Sequence, residues 1–220
     1  MQKTKVILVG ESRVGKTSII NQYVECSFSD EYMITLTGDK LAKEVEIGGK
    51  KYNLEIWDTA GNEQFRAVNK IFMKNSKIAI LVYDITDKKS FEELGYWYDQ
   101  IINTNDKDNI IIGLAGNKSD KYEDQVVSAE EGQKYADKIN ATFKETSAMD
   151  HESIDALFNQ VLEKLVEKEK KQDKIEGNKD KDKDIDKDKD KDKDKKTNQP
   201  FSLDAKKITE KQDNEGGCAC

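Results

Sequence analysis

The sequence predicts an α/β fold in which a doubly wound, mostly parallel six-stranded sheet carries an antiparallel hairpin at one edge. Apolar runs of strand length alternate with helical segments, a pattern typical of parallel strands joined by crossover helices. Segments 41–47 and 51–57 each alternate apolar and polar side chains and are separated by a glycine pair, as in a hairpin with one exposed face. Segments 78–83 and 110–115 are apolar without alternation, as expected of strands buried on both faces.

The remaining elements can be placed in chain order around these strands. A first strand over 5–9 precedes a helix over 18–24. The later elements are helices near 89–103 and 128–139, a short strand near Phe143, and a last helix with an apolar stripe from Ile154 to Val166 and Asp150 as candidate N-cap. The only histidine, His151, is expected to be exposed in the first turn of that helix, so catalysis through histidine is not expected.

An octet with the pattern G-x-x-x-x-G-K-[ST] lies between the first strand and the first helix, the context of a phosphate-binding loop. Glycines let the backbone N–H groups turn toward a phosphate, and the helix N-terminus adds partial positive charge. Lys16 can reach the β- and γ-phosphates, and the Thr17 hydroxyl can bind Mg²⁺. The octet predicts a P-loop NTPase fold, although a glycine-containing surface turn is the alternative. The predicted phosphate-binding residues are Gly10, Glu11, Ser12, Arg13, Val14, Gly15, Lys16, Thr17 and Ser18.

A second segment, Trp57-Asp58-Thr59-Ala60-Gly61, closes the second strand of the hairpin. An acid at the carboxyl end of a sheet strand is well placed to hold Mg²⁺ through water, opposite the Thr17 hydroxyl. Gly61 lets the backbone come close to a γ-phosphate. In isolation the same residues would be an ordinary turn at the end of a strand.

A third segment, 117–120, follows the buried strand at 110–115 and predicts selection of guanine. The Asp120 carboxylate can accept from two adjacent N–H groups, which guanine offers on one edge and adenine does not. Asn117 can join this segment to the phosphate loop, while the stem of Lys118 covers one face of the base.

A fourth segment, Glu145-Thr146-Ser147-Ala148, follows the short strand near Phe143, where the Ala148 N–H can meet guanine O6. Each short segment is weak by itself, but their order and their positions on the predicted elements together indicate a guanine nucleotide site. A phosphoryl-transferring kinase is one alternative, but the chain shows no insertion to supply an acceptor pocket or a lid.

Composition limits the other possibilities. The formal net charge is −7 over 220 residues, and the segment from Lys171 onward carries 14 lysines against 14 acids, so the negative charge lies on residues 1–170. This distribution argues against nucleic acid as a partner. No apolar run reaches 18 residues and no signal pattern is present, so neither a membrane span nor secretion is expected. Three cysteines are too few for a disulfide framework and fit a reducing cytosol.

The chain is expected to divide into a globular domain over residues 1–170, a disordered linker over 171–217, and a terminal motif over 218–220. Lys179 to Lys196 is nearly pure Lys-Asp alternation, which has no apolar face and is rich in a poor helix former.

With these motifs in place, the chain resembles the Rab family of Ras-superfamily small GTPases over about residues 3–166. The resemblance rests on the nucleotide motifs and on four further segments: Leu81-Val82-Tyr83-Asp84-Ile85-Thr86, Ile56–Gly61, Phe65-Arg66 and Cys218-Ala219-Cys220. It implies that Phe28 stacks on guanine, that Thr35 holds Mg²⁺ and the γ-phosphate, and that 61–75 forms a second nucleotide-sensing segment. The implied GTP-binding set also includes Gly61, Asn117, Lys118, Asp120, Ser147 and Ala148.

The resemblance further implies a cycle between GDP-bound and GTP-bound states at the cytoplasmic face of intracellular membranes, in vesicle traffic. The implied partners are exchange factors, GTPase-activating proteins, effectors, a prenylation escort and a GDP-dissociation inhibitor, acting on a monomer. The C-a-a-X pattern is absent, and the Cys218-Ala219-Cys220 ending instead resembles that of doubly geranylgeranylated Rab proteins. This resemblance implies a lipid chain on both Cys218 and Cys220.

The chain departs from the family pattern at several positions, of which the most consequential is Asn62, where the family usually has glutamine. Ile34, Thr37 and Lys40 also differ. Catalysis is expected to involve Asn62, Gly61 and Lys16. Because Asn62 places water positioning in question, a GTP-binding scaffold with impaired hydrolysis is the second alternative.

Overall fold

A computed structural model describes residues 2–29, 35, 39–60 and 66–185, and the burial of side chains in these ranges except 66–69 and 173–185. The strands are β1 (Gln2–Val9), β2 (Lys40–Ile47), β3 (Lys50–Trp57), β4 (Ile78–Asp84), β5 (Ile111–Asn117) and β6 (Thr142–Thr146). The α-helices are α1 (Lys16–Glu25), α2 (Arg66–Met73), α3 (Lys88–Glu92), α4 (Leu94–Thr104), α5 (Ala129–Lys138) and α6 (His151–Ile185), and Ser119–Asp124 forms a 3₁₀ helix.

The described strands form one six-stranded sheet in the order β2-β3-β1-β4-β5-β6. β2 and β3 pair antiparallel at one edge, and the other neighbours pair in parallel. This arrangement confirms the predicted fold class. β1 pairs with β3 on one side and with β4 on the other, so a crevice is expected at the carboxyl ends of these strands.

Apolar side chains fill both faces of the sheet. On one face Tyr23 of α1 stacks on Phe158 of α6, with ring centroids 3.7 Å apart. On the other face Trp97 and Ile101 of α4 are buried against the central strands. β4 and β5 are buried along their whole lengths, which explains why their sequences do not alternate.

Two local features differ from the predicted elements. The helix predicted near 89–103 is divided into α3 and α4, which meet at Glu93. Asp87 caps α3 by accepting a hydrogen bond from the Lys89 N–H. α2 was not predicted as a helix, and its Ile71 side chain is largely exposed.

The start of α6 follows the prediction, with one correction. Asp150 precedes the first helical residue and accepts from the Glu152 N–H at 3.1 Å, so it acts as the predicted N-cap. His151 is only partly exposed, because its Nδ1 lies 3.0 Å from the Gln22 carbonyl oxygen at the end of α1.

The end of α6 extends beyond the predicted domain boundary at residue 170. Residues 171–185 are helical, whereas a disordered linker was predicted from 171 onward. An established helix gains one hydrogen bond for each added residue, and Glu167 stands four residues before Lys171, a spacing that supports helix. The compact unit ends at Glu176, while the unit from Gly177 is described only to Ile185. The rest of the predicted linker and the motif at 218–220 lie outside the described residues.

Glu169 joins α6 to the first and third strands. Its Oε1 accepts from Gln2 Nε2 at 2.9 Å, and its Oε2 accepts from the Tyr52 hydroxyl at 2.9 Å. The Lys50 ammonium lies 3.7 Å from the same Oε2. α6 is therefore fixed beside the end of the hairpin. No helix within the described ranges combines the length and apolar character needed to cross a membrane.

Candidate functional site

Residues 10–15 of the octet form a loop between β1 and α1 at the carboxyl edge of the sheet, and Lys16 and Thr17 begin α1. The two glycines of the loop allow contacts that a side chain would prevent. A Cβ at Gly10 would lie 2.1 Å from the Val82 carbonyl oxygen, and a Cβ at Gly15 would lie 2.3 Å from Asn117 Nδ2. Gly15 also has φ 94°, which L side chains rarely adopt. The loop therefore packs closely against β4 and β5.

Lys16 begins α1, and its side chain curls back over the loop. The ammonium donates to the Gly10 carbonyl at 2.9 Å and to the Glu11 carbonyl at 2.8 Å. Burial lowers the pKa of Lys16 to about 8, opposed by the negative charges of Asp58 and Glu11. The loop thus holds a buried cation with no salt-bridge partner among the described residues, a suitable counter-charge for a phosphate.

Three oxygen-bearing side chains predicted to bind Mg²⁺ meet beside this loop. The Thr17 hydroxyl donates to Asp58 Oδ2 at 2.6 Å, and the Thr35 hydroxyl lies 3.3 Å from the same oxygen. The two hydroxyl oxygens are 3.1 Å apart. These residues come from α1, from the segment between α1 and β2, and from the end of β3. Hydroxyl and carboxylate oxygens are the donors that hard divalent cations prefer.

The negative charge of Asp58 is only partly offset by its neighbours. Burial raises its pKa, while hydrogen bonds from Thr17 and Thr35, the Lys16 charge and the Thr59 N–H lower it. Its buried Oδ1 has no hydrogen-bond partner among the described residues. A buried carboxylate oxygen without a donor is unfavourable unless a ligand, water or cation satisfies it. The residues present therefore fit a divalent cation.

Asn117 joins the third segment to the phosphate loop, as predicted. From the end of β5 its Nδ2 donates to the Val14 carbonyl at 2.8 Å. Its Oδ1 accepts from the Thr146 hydroxyl at 3.3 Å, which links the fourth segment as well. All three residues are buried, so this network holds three loops together at one edge of the sheet.

Asp120 and Ser147 place the third and fourth segments side by side. The Ser147 hydroxyl donates to Asp120 Oδ1 at 2.5 Å and accepts from the Met149 N–H at 3.1 Å. Asp120 itself is exposed, whereas Ala148 is buried. An exposed carboxylate oriented by a neighbouring hydroxyl is suited to accept hydrogen bonds from a ligand.

A residue that sequence reasoning assigned no role holds Lys118. Asp84, at the end of β4, forms an ion pair with the Lys118 ammonium and also accepts from the Thr86 hydroxyl at 2.8 Å. Lys118 has φ 67°, in the left-handed region. The position of Asp84 at the carboxyl end of a central strand was the available signal.

Trp97 is a further residue that the sequence did not single out. Its side chain is fully buried in α4, and its Nε1 donates to Glu11 Oε1 at 3.1 Å. This contact ties the phosphate loop to a helix 86 positions away in the chain. No local sequence pattern predicts this hydrogen bond.

The other predicted site residues are distributed as follows. Phe28 lies beyond α1 and is 40% exposed. Ser12 and Arg13 are exposed at the outer side of the phosphate loop, and Ser18 is half-buried. Gly61 and Asn62, together with Ile34 and Thr37, lie outside the described residues.

Comparison with known proteins gives consistent matches. The profile of the Ras family matches residues 5–167. Ras-related protein Rab-21 of Bos taurus is 38% identical over 174 residues, which cover 79% of this chain and 78% of the relative. Rab-21 of Homo sapiens is 38% identical over 79% of this chain and 77% of the relative. The family match includes every described residue assigned to the site above.

Proposed function

Since the chain belongs to the Ras family of small GTPases, and within it to the Rab group, it is an enzyme that binds and hydrolyses GTP, and we propose that it acts as a membrane-attached switch in vesicle traffic. The contact of Thr35 with Thr17 and Asp58 carries this proposal, because it brings a residue from between α1 and β2 to the phosphate loop. A segment that is ordered by the γ-phosphate and released on hydrolysis changes the surface of the protein according to the bound nucleotide.

We assign the nucleotide contacts as follows. The loop from Gly10 to Ser18 holds the phosphates with its backbone N–H groups, and Phe28 stacks against the base. Asp120 accepts from the guanine edge, and the Ala148 N–H meets guanine O6. Asn117, Lys118 and Ser147 position these groups, a role supported by their contacts with Val14, Asp84 and Asp120.

The cation site proposed here is Mg²⁺ held by Thr17 and Thr35, with Asp58 contributing through water. Bound Mg²⁺ would neutralise charge on the phosphate oxygens. The incompletely compensated Asp58 carboxylate supports the assignment.

In the hydrolytic step, the chain's own residues position water and stabilise negative charge. We propose that the Asn62 side-chain amide orients the attacking water and that the Gly61 N–H meets the γ-phosphate. The Lys16 ammonium stabilises charge that develops on the phosphate oxygens. A scaffold that binds GTP without hydrolysing it is not favoured, because Ras-family members are GTPases.

The Asn62→Gln variant is expected to hydrolyse GTP at least about tenfold faster than the wild type, a change of roughly 1.4 kcal/mol in barrier. Asparagine has the same amide as glutamine but is shorter by one carbon, about 1.5 Å. A misplacement of that size can reduce a rate by on the order of 100-fold. Single-turnover phosphate release from purified protein measures the effect.

Asn62→Ala is the matched control for this comparison. It should be slower than the wild type if the Asn62 amide takes part at all. A glutamine variant no faster than the wild type would mean that another group already positions the water.

For membrane attachment we propose lipid chains on both Cys218 and Cys220, at the end of a tether over 171–217 that follows a GTP-binding domain over 1–170 and whose first part, 171–185, continues α6. One lipid chain gives only marginal binding, and the tether carries 14 lysines against 14 acids, so it provides no basic patch. We place the protein at the cytoplasmic face of intracellular membranes as a monomer. Exchange factors, GTPase-activating proteins, effectors, a prenylation escort and a GDP-dissociation inhibitor are its proposed partners.

Either Cys218→Ser or Cys220→Ser is expected to release most of the protein into the cytosolic fraction, because the remaining single chain binds membranes marginally. Fractionation of cells expressing each variant measures the distribution. Cys26→Ser serves as the control, since Cys26 is an exposed cysteine at the end of α1. Free thiols at both positions in membrane-purified wild type, seen by mass spectrometry, would contradict the proposed attachment.

A further inference from the structure

A cleft of about 380 Å³ lies at the end of the sheet opposite the nucleotide site. Its lining comes from the segment 107–112 at the amino end of β5, from Asn140 just before β6, and from α6. Its volume falls within the range of small-molecule sites. None of the residues assigned to nucleotide binding contributes to it.

The cleft is lined by more positive than negative side chains. Lys107, Lys164, Lys168 and Lys171 face it, together with Asp108 and Glu167. The lysines at 164, 168 and 171 are spaced by four and three residues, which places them on one face of α6. This local excess of positive charge occurs on a chain with a formal net charge of −7. We call this region the lysine cleft.

Nearby carboxylates do not neutralise these lysines by direct contact. Among the ion pairs of the described part of the chain, none involves Lys107, Lys164 or Lys168. Burial lowers the pKa of Lys168, as does the Lys77 charge, while Asp106 and Asp108 oppose the shift. Asn140, with its side chain exposed at the cleft, adds an amide donor.

We propose that the lysine cleft binds the phosphorylated headgroup of an anionic membrane lipid. Lysine ammonium groups act as point-charge donors to phosphate, and the anionic cytoplasmic leaflet attracts lysines that lie near its surface. Three of the four lysines belong to the helix that leads into the tether bearing Cys218 and Cys220. This proposal extends the proposed membrane attachment, because the lysine cleft supplies the basic surface that the tether lacks. It does not require the lipid chains.

Full-length protein produced without lipid modification tests the proposal by co-sedimentation with vesicles. Vesicles of phosphatidylcholine alone are compared with vesicles that also contain a phosphatidylinositol phosphate. The variant Lys164→Gln/Lys168→Gln/Lys171→Gln is compared with the control Lys89→Gln/Lys134→Gln/Lys138→Gln, which removes the same charge from exposed sites in α3 and α5. Nucleotide binding checks that both variants are folded.

We expect the wild type and the control to bind the phosphoinositide vesicles, and the cleft variant to bind at least about tenfold more weakly. Equal binding by the cleft variant and the wild type would overturn the proposal, as would an equal loss in the control or no binding by the wild type. Binding of soluble inositol phosphates without binding to vesicles would overturn the lipid assignment in favour of a free phosphate ligand. If the Cys218→Ser and Cys220→Ser variants stayed on membranes in cells while vesicle binding was intact, only the proposed lipidation would be contradicted.

Discussion

The Lys16→Met variant is expected to bind GTP and GDP at least about 100-fold more weakly than the wild type. Two carbonyl oxygens of the phosphate loop hold the Lys16 ammonium in place, so the charge is already positioned for a phosphate. Methionine fills similar space without the charge or the donors. Displacement of a fluorescent GDP derivative measures the loss. An affinity within about threefold of the wild type would show that the loop backbone alone binds the phosphates.

The same substitution is expected to stabilise the nucleotide-free protein at neutral pH. The pKa of Lys16 falls from 10.5 to about 8 on folding, because burial disfavours the charged form. A lysine with a lowered folded pKa makes an unfavourable contribution that is complete below pH 8 and disappears as the pH rises to 10.5. That contribution is roughly 3 kcal/mol, offset in part by the two hydrogen bonds that methionine loses.

Urea unfolding of both nucleotide-free proteins at pH 7 and pH 10 tests this expectation. The advantage of the methionine variant should be largest at pH 7 and should shrink at pH 10. A variant that is less stable than the wild type at pH 7 would mean that the hydrogen bonds outweigh the burial of charge.

The Asp120→Asn variant is expected to lose at least about 100-fold in GTP affinity and to gain affinity for xanthine nucleotides. In the proposed complex the carboxylate accepts hydrogen bonds from guanine donors, whereas an asparagine amide would present N–H groups to them. Xanthine has a carbonyl at the position of the guanine amino group. The Ser147 hydroxyl can accommodate the asparagine, because it can donate a hydrogen bond to the amide oxygen as it does to the Asp120 carboxylate. Competition by GTP, XTP and ATP against bound labelled GDP measures the preference.

Asp124→Asn is the matched control, since Asp124 is an exposed carboxylate of the same 3₁₀ helix. It should leave the nucleotide preference unchanged. If the Asp120 variant retained wild-type selectivity for GTP, guanine selection by this carboxylate would be disproved.

The contacts that could be predicted from sequence are those fixed by strand ends and motif spacing. Residues that follow parallel strands meet at one edge, so the proximity of Thr17 to Asp58, and of Asn117 to the phosphate loop, followed from the strand assignments. The antiparallel hairpin was equally visible, because its alternation has a period of two.

The contacts that could not be predicted depend on how helices pack across the sheet. The hydrogen bond between Trp97 and Glu11 joins residues far apart in sequence, and neither carries a local signal for the other. The ion pair between Lys118 and Asp84 requires the register of β4 against β5. The sequence did not predict the continuation of α6 to Ile185, because the prediction relied on the absence of an apolar face. An established helix can be extended without one.

The placement of Trp97 also determines what an optical measurement on the unlabelled protein can report. The chain has two tryptophans. The indole of Trp97 is buried with its N–H on Glu11 of the phosphate loop, whereas Trp57 directly precedes Asp58 and has its ring 5.4 Å from that of Phe72 in α2. Both emitters therefore lie beside segments that we propose to contact the nucleotide. Replacing Trp57 with phenylalanine isolates the emission of Trp97, which then follows the phosphate loop in real time without an attached dye.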